Sequence, residues 1–275
     1  MTARPKHRHP QVENSIMRRA ANRGSADRIF CGVARILAGA LLLAAVPALS
    51  AEPEVEPETQ ACAQDDVASF AIRACTALIT SAKFSSKDLG RIYTWRGKAW
   101  LTEDDPEAAA ADYTRALEID PLNVTALRDR ALASTMLGEH AKAVEDWSRL
   151  ITDQPANDQY YRSRGTSRLA AGQHDEALAD FDKSIELSPS VVDAYIGRAS
   201  VFDALKQRGL AEKEFKKAIA ISPQYLPLFW ARAEMSERWG EQHLAIKDYT
   251  MVLKINGVYA NARKALVRLG IQTPP

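Results

Sequence analysis

The chain has 275 residues, 46% hydrophobic and 26% charged, with a net charge of +1 at neutral pH, proportions that suit one elongated domain plus a leader. The balance hides an asymmetry: residues 1–51 carry eight basic side chains (Arg4, Lys6, Arg8, Arg18, Arg19, Arg23, Arg28, Arg35) against Glu13 and Asp27, which leaves 28 basic and 33 acidic groups beyond, a net charge of −5. A mildly acidic body argues against nonspecific nucleic-acid binding.

At the start of the chain a basic region ends at Arg35, and Ile36–Leu49 follows as an apolar run of 14 residues broken only by Pro47. Ala48-Leu49-Ser50-Ala51 then offers small residues for cleavage after Ser50 or Ala51. That order predicts a secretory signal peptide over 1–51, and the run is short for a bilayer span. Left uncleaved, the same leader would be an inner-membrane anchor. Met1 and Met17, the latter just ahead of Arg18-Arg19, are both possible starts. Residues 52–61 are acidic and proline-rich without periodicity, which predicts a disordered linker.

Two cysteines lie beyond the leader, Cys62 and Cys75. Ala71–Ile79 (AIRACTALI) matches Ala109–Leu117 (AAADYTRAL) at an offset of 38, with Cys75 where the later segment has Tyr113. Residues 62–89 therefore read as the second helix of a repeat without its first, with four extra residues in the loop Ser81–Leu89. The open end of a stacked array needs a cap, and a Cys62–Cys75 disulfide would fasten the incoming chain over it. Closing such a loop stabilises by about 3 kcal/mol in the chain-entropy model. A redox-active pair is the other reading, although such pairs are usually closer, as in Cys-x-x-Cys. A structural bond also agrees with export to an oxidising compartment.

From Gly90 to Tyr259 the chain falls into five rows of 34 without a gap: Gly90–Asn123, Val124–Asn157, Asp158–Val191, Val192–Tyr225 and Leu226–Tyr259. Column 4 is large (Tyr93, Leu127, Tyr161, Tyr195, Phe229) and column 8 small (Gly97, Ala131, Gly165, Ala199, Ala233). Column 20 is always alanine (Ala109, Ala143, Ala177, Ala211, Ala245) and column 24 always aromatic (Tyr113, Trp147, Phe181, Phe215, Tyr249). Spacings of three and four predict two amphipathic helices per row. Small residues let the two approach while large ones fill the space beside them. Proline at column 32 (Pro121, Pro155, Pro189, Pro223) ends the second helix, and Asn123, Asn157 or Ser190 can cap the next one.

In length, small residues, aromatic position and late proline these rows resemble the tetratricopeptide repeat. The resemblance covers 170 of 275 residues. It implies an all-α fold: an α-solenoid of five tandem helix-turn-helix repeats over 90–259, with an N-terminal half-repeat and a C-terminal capping helix in 260–275. In that helix, Ala260–Leu269, Leu266 and Leu269 would face the stack, with Asn261, Arg263, Lys264 and Arg268 outward.

In proteins with this repeat, first-helix columns 2, 5, 9 and 12 line a concave channel for a peptide. At about 100° per residue they cluster near 160°, away from the core columns near 45°. The candidate groove is then Arg91, Lys98, Arg128 and Arg162 in the first three rows and Asp193, Asp203, Trp230, Glu234 and Glu237 in the last two. Four bases followed by four acids predict a channel positive at one end and negative at the other, favouring a partner segment of opposite polarity. Solvated helix charges are the plainer reading. Trp230 is a candidate anchor. Columns 5 and 9 hold no asparagine, so the carboxylate clamp of the family's chaperone-tail binders is not matched.

Arginine recurs at column 7 (Arg96, Arg130, Arg164, Arg198, Arg232) and an acid at column 23 (Asp112, Asp146, Asp180, Glu214, Asp248). Column 7 points beside the core, which predicts an internal ion-pair ladder rather than an anion track. Bases at column 26 (Arg115, Arg149, Lys183, Lys217) lie three residues along and could compete for the acids.

No Gly-rich phosphate loop, His-Glu-x-x-His, Gly-x-Ser-x-Gly or Cys-x-x-Cys occurs, and His140 and His174 fall on separate rows without nearby cysteines. The sequence therefore offers no catalytic residues, cofactor site or metal ligands. Short secreted bacterial repeat proteins with an early cysteine and an Ala-Cys-Thr segment look similar, which supports a periplasmic home. The expectation is a non-enzymatic scaffold that binds a protein or peptide through the concave groove, as adaptor or assembly factor. The alternative is a membrane-tethered structural component of an envelope complex.

Overall fold

The computed structural model describes residues 57–63, 67–81 and 83–272. The expected signal peptide over 1–51, with its choice of start, and the linker up to residue 56 lie outside the described residues. Among those described there are thirteen helices and no strand: α1 (Pro57–Ala63), α2 (Ala68–Thr80), α3 (Ser86–Thr102), α4 (Pro106–Ile119), α5 (Val124–Met136), α6 (His140–Asp153), α7 (Asp158–Ala170), α8 (His174–Leu187), α9 (Val192–Ala204), α10 (Arg208–Ile221), α11 (Leu226–Arg238), α12 (Gln242–Ile255) and α13 (Ala260–Arg268). None of these is long and apolar enough to cross a membrane. The chain is an all-α solenoid of helical repeats, each helix packed on the next.

Two details differ from the sequence reading. Residues 57–61, expected as disordered linker, are helical, because Glu58–Ala63 contains no breaker and Cys62 is bonded to Cys75 in α2. The four extra residues before Gly90 do not loop out. They lengthen α3 to 17 residues, started by Ser85, whose hydroxyl accepts from the Asp88 backbone N–H at 3.2 Å.

Within each repeat the two helices are joined through a residue in the left-handed region: Asp104 (φ 62°), Gly138 (75°), Gly172 (76°), Lys206 (61°) and Gly240 (75°). These stand 34 apart, a column the sequence reading did not single out. Asp105, Asn123 and Asn157 cap α4, α5 and α7 with side-chain oxygens. Ser190 does not cap α9, whose N-cap position falls on Val191.

The core is built from column 24. Tyr113, Trp147, Phe181, Phe215 and Tyr249 are all at most 1% exposed, and the column 20 alanines are fully buried. The small residues are small for a reason: a methyl group on Gly97 would stand 2.8 Å from the Tyr113 ring, and one on Gly165 3.1 Å from Phe181. Gly197 of the following repeat meets the same Phe181 ring more closely still. Tyr113 is completely buried and its hydroxyl finds no partner, so burial pushes its ionisation well above the ordinary phenol range. At the N-terminal end the Cys62–Cys75 disulfide, with sulfurs 2.08 Å apart, is buried with Leu78 and Ile92. At the C-terminal end α13 buries Leu266, while Leu269 is partly covered.

The column 7 arginines bind the column 23 acids in all five repeats. Arg96–Asp112, Arg130–Asp146, Arg164–Asp180, Arg198–Glu214 and Arg232–Asp248 each use both Nε and a terminal nitrogen of the guanidinium. The hydrogen bond each donates to its carboxylate raises the pKa of Arg96 and of Arg130. A remaining nitrogen reaches back to the second helix of the preceding repeat: Arg96 to Thr76, Arg130 to Thr114, Arg164 to Ser148, Arg198 to Asp182. In the last repeat Lys216 holds that position, and an ammonium can only donate. Of the column 26 bases only Lys217 competes, binding Glu214 at 2.9 Å; Arg115 and Lys183 turn to Glu118 and Glu186, and Arg149 to the Pro121 carbonyl.

Four substitutions test this packing. Arg130→Ala strands Asp146, 1% exposed, and is expected to lose about 3 kcal/mol. Arg164→Ala should lose less, because Asp180 keeps Arg168 at 2.6 Å; urea denaturation giving the reverse order would contradict the ladder. Lys206→Gly removes a side chain from a left-handed turn and should gain about 0.5–1 kcal/mol, read as a higher melting temperature. Tyr113→Phe should leave stability unchanged or raise it by up to about 1 kcal/mol, since the lost hydroxyl is unbonded; a clear fall in the denaturation midpoint would mean the hydroxyl has a partner.

Candidate functional site

The first helices (α3, α5, α7, α9, α11) form the inner layer. Adjacent first helices pack on one another, α3 on α5, α7 on α9 and α9 on α11, and α5 meets α7 through the Thr135 and Ser167 hydroxyls, 3.4 Å apart. Between the second helices α4 and α6 lies an open cleft of about 710 Å³, lined by Ala110 and Ala111 among others. The charges around it are largely paired already, as Arg115–Glu118, Lys142–Glu139 and Arg130–Asp146. The arginines of column 7 have their guanidinia taken up by carboxylates, which removes them as an anion track. Among the described residues no three metal-type side chains come together. His140 and His174 begin α6 and α8, one repeat apart.

On the inner face the four sequence columns are not equally open. Columns 2 and 9 are the most exposed, with Arg91, Thr125, Gln159, Asp193, Lys98, Leu132 and Thr166 all facing solvent. Column 5 is covered at Thr94 and Ile196. Thr94 is tied down on both sides, donating to the Gly90 carbonyl and accepting at 3.4 Å from Asn123, the residue that caps α5. Trp230, the candidate anchor, is partly buried with its ring against Tyr249 (centroids 5.1 Å apart) and Tyr259 (5.5 Å). Its faces are used within the protein.

The charges fall out differently from the row of signs in the sequence. Arg162 binds Asp158 at 3.3 Å and faces Asp193 of the next repeat at 3.6 Å, and Asp193 also accepts from the Tyr225 hydroxyl at 2.7 Å. Asp203 accepts from Arg238 at 2.8 Å and from the Trp239 indole at 2.6 Å. Glu237 accepts from Arg268 of α13 at 2.6 Å. Glu234 is half-buried beside them. The negative end expected for the channel is thus largely neutralised from within. At the other end Arg91 lies over the Trp95 ring at 5.4 Å, and Lys98 is exposed. Arg128 gives Nε to Asp129 at 2.8 Å, which raises its pKa and keeps it charged, while its side chain stays 41% exposed. Asp203 lies 35 and 36 residues from Arg238 and Trp239 along the chain, and only the fold brings it to them.

Known proteins give the same architecture. A family model described as a tetratricopeptide repeat matches residues 162–225, and one described as a bacterial transcriptional activator domain matches 91–188. No curated protein sequence matches the chain. Among solved structures, a tetratricopeptide repeat protein from Parabacteroides merdae superposes with a TM-score of 0.65 at 24% identity, over 74% of this chain and 78% of that one. A thermophilic TPR protein of Thermus thermophilus gives 0.56 at 20%, over 67% and 98%. The pilF protein of Pseudomonas aeruginosa gives 0.51 at 19%, over 67% and 84%. Five rows in register, helix pairs stacked in sequence order and a repeat model matching residues 162–225 give this chain the tetratricopeptide-repeat fold.

Proposed function

We propose that the chain is a periplasmic scaffold that holds a peptide segment of a partner protein against the first-helix face, as adaptor or assembly factor. The observation that carries this reading is the inner layer, where side chains face solvent at a period of 34 residues, at column 2 in repeats 1 to 4 and at column 9 in repeats 1 to 3. A segment lying along that stretch meets a similar position on successive repeats. Affinity can then build from many small contacts without a deep pocket. The periplasmic part is supported by the basic-then-apolar leader and by the Cys62–Cys75 bond, which an oxidising compartment would preserve.

The runner-up is a structural component tethered by an uncleaved leader and touching its neighbours through the second helices, where the cleft between α4 and α6 offers relief. Site-specific photocrosslinkers in living cells separate the two. Placed at Leu132 or Thr166 they should capture the partner, whereas at Thr114 or Asp182 they should not; the converse pattern favours the runner-up. N-terminal sequencing of the exported protein is expected to begin at Ala51 or Glu52, and a retained leader would replace the free scaffold by the tether.

A further inference from the structure

Building on the groove reading, we propose that the segment bound is acidic and seats on the first helices of repeats 1 to 3, while repeats 4 and 5 contribute no charge recognition. Two observations support this independently. The first is occupancy. Asp193, Asp203 and Glu237 are held by Tyr225, Arg238, Trp239 and Arg268 across element boundaries. A cationic partner would have to displace bonds of 2.6–2.8 Å to reach them.

The second is the sorting of charge along the first helices. In repeats 1 to 3 the first helices α3, α5 and α7 carry nine basic and three acidic side chains; with Arg96, Arg130, Arg164 and Arg168 taken up by acids of the second helices, five bases stand against three acids. In repeats 4 and 5 the first helices α9 and α11 carry three and four, and with Arg198 and Arg232 taken up likewise one base stands against four acids. Positive potential therefore gathers on one face of one half of the array, where it attracts an acidic segment and repels a basic one. Within that half, Arg128 (side chain 41% exposed) and Leu132 (43%) are four apart on α5 and so stand side by side. An Asp or Glu for Arg128 and an aliphatic side chain for Leu132 fit this pair, and Arg91 on α3 extends the positive track.

The test is selection of a displayed random-peptide library on the full chain, followed by fluorescence anisotropy with the enriched peptides. Enriched sequences should be rich in Asp and Glu, with one or more aliphatic residues, and their binding should weaken as salt rises. Residues 1–51 are themselves basic, so substitutions decide where the peptides sit. Arg91→Glu, at an exposed position, and Arg128→Gln, which adds no charge beside Asp129, should each weaken binding by about tenfold. Asp203→Asn and Glu237→Gln should change it less than about twofold. Enrichment of basic or uncharged peptides, or acidic peptides indifferent to Arg91→Glu and Arg128→Gln, overturns the proposal while leaving a groove in place. Enriched peptides indifferent to every first-helix substitution, Leu132→Ala included, overturn the groove reading with it.

Discussion

The ring of Phe181 rests against Gly165 of its own repeat and Gly197 of the next. A side chain shared in this way belongs to two repeats at once, and the rest of the architecture depends on that sharing. Helices of 13 and 14 residues are marginal alone in water. Burying an aromatic ring is worth about 2–3 kcal/mol, but only if the opposing surface has room for it. Glycine and alanine supply the room, so ring and slot must come from helices that are neighbours in the stack. Stability then passes from repeat to repeat, and each end must be closed separately. The C-terminal end is closed by packing, with Leu266 of α13 buried beyond Tyr249. At the N-terminal end Cys75 occupies the ring's column, and a disulfide to α1 does by a covalent bond what a ring does elsewhere.

Apolar packing alone tolerates sliding, and the arginine–acid ladder does not. Each guanidinium is forked onto one carboxylate of the partner helix, a geometry that only one register satisfies. Four of the five also reach the preceding repeat, and four lie over the column 4 ring three residues earlier. Buried ion pairs add little net stability relative to apolar replacements, while losing one member is costly. The ladder is therefore better understood as setting the register of the stack than as the main source of its stability.

Periodicity made most of this legible beforehand. Columns 20 and 24 gave the core, columns 7 and 23 the ladder, and Asn123 and Asn157 two of the caps, because a repeat shows the same physical demand several times. What the sequence concealed lay where rows differ or where distant residues meet. The left-handed turn position was missed because Asp104 and Lys206 stand in for glycine in two rows of five. Gly197 looks like an unremarkable residue at column 6 until Phe181 is seen beside it. Trp230 looked like an anchor, yet Tyr249 and Tyr259 come around to cover it. The four acids of the distal rows stand without a base in columns 2, 5, 9 and 12, since Arg238 and Arg268 lie outside those columns.

That last difference bears on recognition in this fold generally. A face recognises by the charges that remain after the protein has paired its own, and a sequence column counts them before pairing. Here the subtraction is uneven. The distal half is tied across helices by Asp203–Arg238, Glu237–Arg268 and the aromatic group around Trp230, contacts that hold the last repeat and its cap together. The proximal end is closed instead by the buried disulfide, and Arg91 and Leu132 on the inner faces of α3 and α5 stay exposed. Where the end of an array is sealed by buried bonds, its exposed columns are free to carry a partner's code. Where it is sealed by surface salt bridges, those same columns are already in use. The asymmetry of the two caps thus decides which end of the groove can be selective.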